Sequence, residues 1–505
     1  MVSKFLRLLK LLVLIIACYT VVLLLVHLGR HRGAVRRSAR APFIKKAYSK
    51  PATAPLQEKS DNVVDDDDHG WQSLRRLLQS NRGQGSPLSS DKCAPFPRYA
   101  DLLFEGENFQ RMREGNLSYY LFGAYYDRRL EPMVAVLAMI NTIYGPYPPT
   151  YCQMWFDGSS RPSISQVRDH KVIWYDSWGQ GPNYIYPTLL SCPVPKGQMM
   201  QRVPQLVSLV HGTDGCARAT NALHVIYEAP RRSHALRFAV CVKDLYYPHR
   251  DISARIVEWL ELMQLLGAER VTAYVDDGAL LPNTTRTLLR YVQHGFLKLR
   301  RFRMLQLPGV DATSYLNKRV HEVLTYNDCF YRNLYEYDFI GGFDLDEVIM
   351  PLGTIRNWTS LVHHLESTDD FGGNSNCQAW ASYCFRNVYF PEYREKPPYN
   401  ETLPKHFYML QHVRRVAKHL HPSLAAKCLH ATAFATTLHN HFPLSWQNSC
   451  APLDVSTALA QMQHYREPEN KADLLTPVLD DNIWRFEEQL VKSSCVVFRE
   501  LGWSP

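Results

Sequence analysis

Between Arg237 and Pro351 the chain alternates two apolar rhythms, and this alternation restricts the fold more than any other feature. Phe238 to Val242 is a short, continuous apolar run, the pattern of a strand buried on both faces. Asp251 then starts a helix in which Ile252, Ile256, Trp259, Leu260, Met263 and Leu266 fall at helical spacing, and Gly267 ends it. Val271 to Val275 reads as the next strand, topped by Asp276, Asp277 and Gly278. A second helix over Thr285–His294, a third strand over Leu297–Phe302, a third helix over about Lys318–Leu334 and a fourth strand at Phe339–Phe343 complete the series. Repeated strand–helix units build a mostly parallel sheet with helices on its faces. Ligands of such sheets bind beyond the carboxyl ends of the strands. The chain has no Gly-x-Gly-x-x-Gly and no Walker loop, which disfavours a dinucleotide oxidoreductase or a P-loop ATPase.

The fourth strand runs into Gly341-Gly342-Phe343-Asp344-Leu345-Asp346-Glu347. If this segment stays extended, Asp344 and Asp346 share a face while Leu345 points to the core. Neighbouring carboxylates repel unless a cation lies between them. Oxygen ligands suit a hard divalent ion, which commonly shares its shell with phosphate oxygens. An Asp-x-Asp at the end of a buried strand therefore predicts a clamp for a nucleotide diphosphate. An Asp-x-Asp on its own is common and is more often a solvated loop. Its place among Asp276 and Asp277, also at a strand's carboxyl end, favours the clamp.

The N-terminus predicts a membrane anchor. After a short tail over 1–10, residues 11–28 are almost wholly apolar and just long enough to span a bilayer. No small-x-small cleavage site follows, so the span is read as uncleaved. The flanks conflict with the rest of the chain on orientation. Arg30, Arg32, Arg36, Arg37 and Arg40 follow the span, which by the positive-inside rule puts the rest of the chain in the cytoplasm. Twelve cysteines and the sequons at Asn116, Asn283, Asn357 and Asn400 instead predict a lumenal, oxidising compartment, and this is the reading adopted. Eleven of the cysteines follow the anchor, so at least one thiol stays free or pairs outside the chain. The net charge of +9 comes largely from the N-terminal flank and scattered Arg; without a Lys/Arg stripe among aromatics it does not suggest nucleic acid.

Residues 29–92 read as a disordered stem that buries no core, with a short amphipathic helix at Trp71 to Leu78. Residues 93–231 read as a small β-rich module of short apolar runs separated by turns, and 232–505 as the domain that carries the alternating units.

The segments Phe238-Ala-Val-Cys-Val-Lys243, Glu258-Trp-Leu-Glu, Asn327-Asp-Cys-Phe, Phe343-Asp-Leu-Asp-Glu347 and His464-Tyr-Arg466 occur in that order. They resemble glycosyltransferase family 92, and within it the metazoan β-1,4-galactosyltransferases that act on the core fucose of N-glycans. The resemblance covers about 232–500 and implies a GT-A fold, a type II Golgi membrane protein with a lumenal catalytic domain, and inverting transfer from a UDP-sugar through Mn²⁺ to a glycan or glycoprotein acceptor. Asp344 and Asp346 match the family's Asp-x-Asp, with Asp346 the expected metal ligand and Asp344 reaching the ribose or the metal. A downstream His is the expected third ligand; His464 is preferred because Arg466 beside it suits a phosphate, and His439 and His441 remain candidates. Lys243 is expected at the donor phosphates, Asp276 or Asp277 at the uridine, and Glu347 in a supporting place or at a helix start. The general base is a carboxylate that spacing does not single out among Glu366, Asp369, Asp370, Glu392, Glu395 and Glu401. The competing reading is an inactive member that keeps the fold as a Golgi carbohydrate-binding or scaffold protein; the intact Asp344 and Asp346 argue against it.

Overall fold

The computed structural model describes residues 71–80 and 93–503, except 160, 182, 198–201, 231–232, 234, 369–378, 394–402 and 405. The tail 1–10, the apolar segment 11–28 and most of the stem lie outside the described residues, as do Asp369, Asp370, Glu395, Asn400 and Glu401. Among the described residues no helix is long and apolar enough to cross a membrane.

The alternating units form as the apolar rhythm dictates. Strand β1 (Phe238–Tyr247) leads to helix α1 (Ser253–Leu266), β2 (Ala268–Leu280), α2 (Pro282–Gln293), β3 (Leu297–Arg301), α3 (Tyr315–Arg332) and β4 (Phe339–Gly342). The Asp251 carboxylate accepts the Ser253 N–H at the start of α1, and Gly267, at φ 110°, closes it in the left-handed region that only glycine enters cheaply. Pairing is parallel for β3–β2, β2–β1 and β1–β4, the right order for βαβ crossovers. The sheet is not parallel throughout. Strand β5 (Glu347–Pro351) leaves it after the Asp-x-Asp, and two later strands extend it: β8 (Lys427–Ala431) lies antiparallel to β4, and β6 (Ser382–Phe385) lies antiparallel to β8 on its other side. Between those two in the chain, β7 (Asn387–Tyr389) joins β5 and β9 (Ala460–His464) in a separate three-stranded sheet, order β5-β9-β7. The observed class is thus mixed α/β with a parallel half.

Residues 104–226 form a ten-stranded, mainly antiparallel sheet. The apolar runs read from the sequence are its strands at 117–127, 133–140, 150–155, 169–172 and 223–226. This sheet and the parallel one share a core through α3: Phe122, Tyr125 and Leu137 cluster with Val320, Leu324, Phe330, Cys241 and Tyr274. The Asn327-Asp-Cys-Phe motif fastens them. Asp328 accepts from Tyr125, Tyr274 and Arg332, and Cys329 is disulfide-bonded to Cys241 on β1. Further disulfides join Cys93–Cys216, Cys152–Cys192 and Cys384–Cys428, and Cys495 is free, as the odd count requires.

The stem reading needs one correction. The helix at Trp71–Ser80 forms, and its Leu74 and Leu78 are buried against Leu102, Trp155 and Leu206. Stem residues therefore do contribute core, because this amphipathic helix finds an apolar patch on the β-sheet to cover.

Candidate active site

The Gly pair at the end of β4 is required by packing. A Cβ on Gly342 would meet the Tyr326 ring at 2.9 Å, so the strand can approach α3 only without one. The chain beyond does not stay extended. The Asp344 N–H donates to Glu347 Oε2 at 2.8 Å and the Glu347 N–H to the Asp344 carbonyl at 3.0 Å, which folds residues 344–347 into a turn. The expectation that Asp344 and Asp346 share a face is therefore corrected: the turn sends the two carboxylates to different partners.

Asp344 faces Lys243, whose ammonium lies 3.3 Å from its Oδ2 and 3.0 Å from Glu322 on α3. Burial works against the Asp344 charge, but Lys243, Lys427 and His464 outweigh it and hold the carboxyl at about 2. The same carboxylates keep Lys243 protonated despite its own burial. Tyr326, one helical turn after Glu322, has a buried hydroxyl without a partner, and Glu322 Oε1 is likewise unpartnered. Burial and then the negative field of Asp344, Glu322 and Glu347 keep that phenol protonated.

Asp346 faces His464. Register explains why: β9 runs antiparallel to β5 with His464 opposite Glu347, and the Tyr465 N–H donates to the Asp346 carbonyl at 2.8 Å. His464 Nε2 lies 3.6 Å from Asp346 Oδ2 and 3.9 Å from Glu347 Oε1, while the Asn387 amide sits 3.2 Å from its Nδ1. Glu347 is a buried strand residue rather than a helix start, and Lys427 neutralises it at 2.9 Å.

The other sequence candidates fall around this centre or away from it. Arg466 pairs with Glu469 and lies 5.7 Å over the Tyr389 ring, on the His464 side but engaged elsewhere. Strand β2 continues past Asp276 and Asp277, which therefore lie inside it rather than at its end, and they face Arg303 and Arg301. His439 and His441 are not joined to Asp346; they flank Asn440, whose Oδ1 accepts from Lys427 at 2.5 Å. Of the described base candidates, Glu366 faces His363 on the exposed face of its helix, whereas the charge of Glu392 bears on Tyr408 and His412, and Tyr408 also feels Asp346. Among the sequons, Asn116 is exposed, Asn283 is exposed and bonded to Asp251, and Asn357 caps Ser360.

Sequence reasoning missed Glu322, Tyr326, Asn387 and Lys427. Glu322 and Tyr326 had a signal, since residues four apart share a helix face and that face meets the Gly pair. Lys427 had none; its role comes from β8 lying beside β4.

Among the described residues no set of three or more His, Cys, Asp or Glu converges as a ready-made metal cage. The Asp346–His464 pair nevertheless fits a divalent ion of the Mn²⁺ kind. Its donors are one carboxylate oxygen and one imidazole nitrogen, and such ions are commonly held by one or two protein side chains with the remaining positions left to phosphate and water. Lys243 and Lys427 neutralise Asp344 and Glu347 on either side of Asp346 in the chain, which limits the negative charge an incoming diphosphate meets.

Among solved structures, ferredoxin–NADP⁺ reductase from Plasmodium falciparum aligns at 11% identity over 50% of this chain and 90% of that chain, with a TM-score of 0.14. The same enzyme with 2'P-AMP aligns at 11% over 46% and 90%, also with a TM-score of 0.14. Overlaps so poor carry no argument about fold or function. No curated protein matches the chain. The family model for glycosyltransferase family 92 matches residues 237–496, which takes in every unit of the parallel sheet, the Asp-x-Asp turn and His464. The chain belongs to glycosyltransferase family 92.

Proposed function

We propose that this glycosyltransferase is an inverting, Mn²⁺-dependent hexosyltransferase that uses a UDP-sugar, with UDP-galactose the first donor to try and the core fucose of N-glycans the first acceptor. The observation that carries the reading is the Asp346–His464 pair, 3.6 Å apart at the carboxyl end of a parallel sheet, in a turn whose Asp344 and Glu347 are each paired with a lysine. In this reading Asp346 and His464 hold the ion, which when bound neutralises the departing diphosphate. Asp344, kept ionised, and Glu322 receive hydroxyls of the nucleoside or sugar. Lys243 and the Tyr326 hydroxyl lie on the phosphate side, and Arg466 leaves Glu469 to meet phosphate. Asp276 and Asp277 border the uridine. Glu392 takes the proton from the acceptor hydroxyl as that oxygen attacks the anomeric carbon.

The disulfides support a lumenal catalytic domain, and with the apolar segment 11–28 they favour a type II protein of the Golgi membrane. Glycans at Asn116, Asn283, Asn357 and Asn400 would be part of that reading. Purified protein incubated with UDP-galactose and core-fucosylated N-glycan, with Mn²⁺ or EDTA, tests it. The reading predicts transfer with Mn²⁺ and none in EDTA. Equal transfer in both would end it, and UDP binding with no turnover of any UDP-sugar would favour the inactive carbohydrate-binding reading.

A further inference from the structure

A second constellation lies on the far side of Lys427 from the Asp-x-Asp turn, and the donor site as described does not use it. Tyr175 and Tyr315 are 40% and 67% exposed, although they come from different sheets' surroundings: Tyr175 from the turn after strand 169–172, Tyr315 from the start of α3. Trp178 lies between them, its ring 3.7 Å from that of His439 and 4.2 Å from the Arg319 guanidinium, which in turn covers Tyr315 at 4.5 Å. Tyr175 also meets His439, at 5.7 Å. Three chain segments thus bring aromatic faces to one surface.

Beneath these rings, buried imidazole nitrogens lack partners: Nε2 of His439 and Nδ1 of His441. Burial, then Arg319 and Lys427, holds His439 at about 3, so it is neutral; its Nδ1 accepts the His441 N–H at 3.3 Å, which leaves the Nε2–H as a free donor. An unpaired buried nitrogen is costly, and a hydroxyl arriving from the platform side removes that cost. Asn327 fixes the segment from both directions, donating to the Leu438 carbonyl at 2.7 Å and accepting its N–H at 2.9 Å. The next polar residue, Asn440, shares Lys427 with Glu347, which binds the Asp344 N–H. One lysine therefore separates this surface from the turn that carries Asp344 and Asp346.

Aromatic faces edged by a guanidinium and imidazoles match a sugar ring, which has an apolar C–H face and a rim of hydroxyls. A structural role for the rings accounts for Trp178, but Tyr175 and Tyr315, though touched by His439 and Phe442 and by Arg319, remain largely exposed. We propose that Tyr175, Trp178, Tyr315 and Arg319 form a carbohydrate-binding platform, with His439 and His441 beneath it, that holds the acceptor glycan beside the donor site. The acceptor assignment rests on the glycosyl-transfer reading above.

The test uses the purified protein on an array of free N-glycans with and without core fucose, alongside calorimetric titration with UDP and Mn²⁺. Tyr175→Ala, Trp178→Ala and Tyr315→Ala should each weaken glycan binding about tenfold or more and leave UDP affinity within about twofold. Trp178→Phe should retain most of the glycan affinity. Should Trp178→Ala fail to fold, the exposed Tyr175 and Tyr315 variants decide. Glycan binding unchanged in both tyrosine variants overturns the platform, as does a wild-type protein that binds no glycan, or UDP affinity that falls in step. Wild-type protein that binds glycan but not UDP leaves the platform standing and removes the transfer reading; UDP binding with unaffected tyrosine variants does the reverse.

Discussion

At the scale of single residues, the site separates two carboxylates that the sequence places side by side. Asp344 is neutralised by a lysine that the fold supplies, and Asp346 is left opposite an imidazole. Their substitutions should differ accordingly. Asp346→Asn keeps the shape but removes an ionic ligand, and should lower kcat/KM at least about a hundredfold, or about 3 kcal/mol of transition-state stabilisation, with little change in melting temperature. Steady-state kinetics beside a thermal melt checks this. Lys427 behaves differently. It and Glu347 are both almost wholly buried, so Lys427→Met strands a carboxylate without its cation. The loss of stability should be about 3–5 kcal/mol, and adding Glu347→Gln should recover part of it in urea denaturation. Equal stability of Lys427→Met and wild type would show that this pair is not the buried ion pair described here.

At the scale of elements, the parallel units were legible because both rhythms are strong: the apolar runs and the helical spacing of Ile256, Trp259, Leu260 and Met263 leave one assignment. The Asp-x-Asp geometry was not legible. A turn closed by the side chain of Glu347 has no periodic signature, and the partner of Asp346 arrives on a strand more than a hundred residues later, by a register that only the fold sets. The antiparallel β6 and β8 were hidden for a similar reason, being short and interrupted by polar residues such as Lys427 and His430. Those polar residues have a consequence. His430 and His321 are buried and neutral; burial lowers His321 to about 4, and burial with Lys427 lowers His430 to about 3. From about pH 6.5 downward the unfolded chain takes up protons that the folded one refuses, so stability falls as pH falls through that window. Between pH 7.5 and 5.0 the two histidines together should cost about 4 kcal/mol, and the urea midpoint should drop. A midpoint at pH 5.0 equal to or above that at 7.5 would contradict the placement of these imidazoles.

At the scale of the whole molecule, α3 joins the antiparallel sheet to the parallel one, and the helix at Trp71–Ser80 covers an apolar patch of the first. A chain beginning at residue 93 should therefore be less stable than one beginning at residue 70, by on the order of 3 kcal/mol for the apolar patch of Leu102, Trp155 and Leu206 that loses its cover, while keeping its activity. Differential scanning calorimetry of the two chains decides whether that helix is part of the fold. The central claim is the ion held between Asp346 and His464, and calorimetric titration of UDP with and without Mn²⁺ tests it most directly. The account predicts that UDP binds wild-type protein far more tightly with Mn²⁺ than in EDTA, and that Asp346→Asn and His464→Ala, folded by their melts, each lose most of that difference. UDP binding that is indifferent to Mn²⁺ in wild-type protein, or a Mn²⁺ effect that survives intact in both variants, would contradict it.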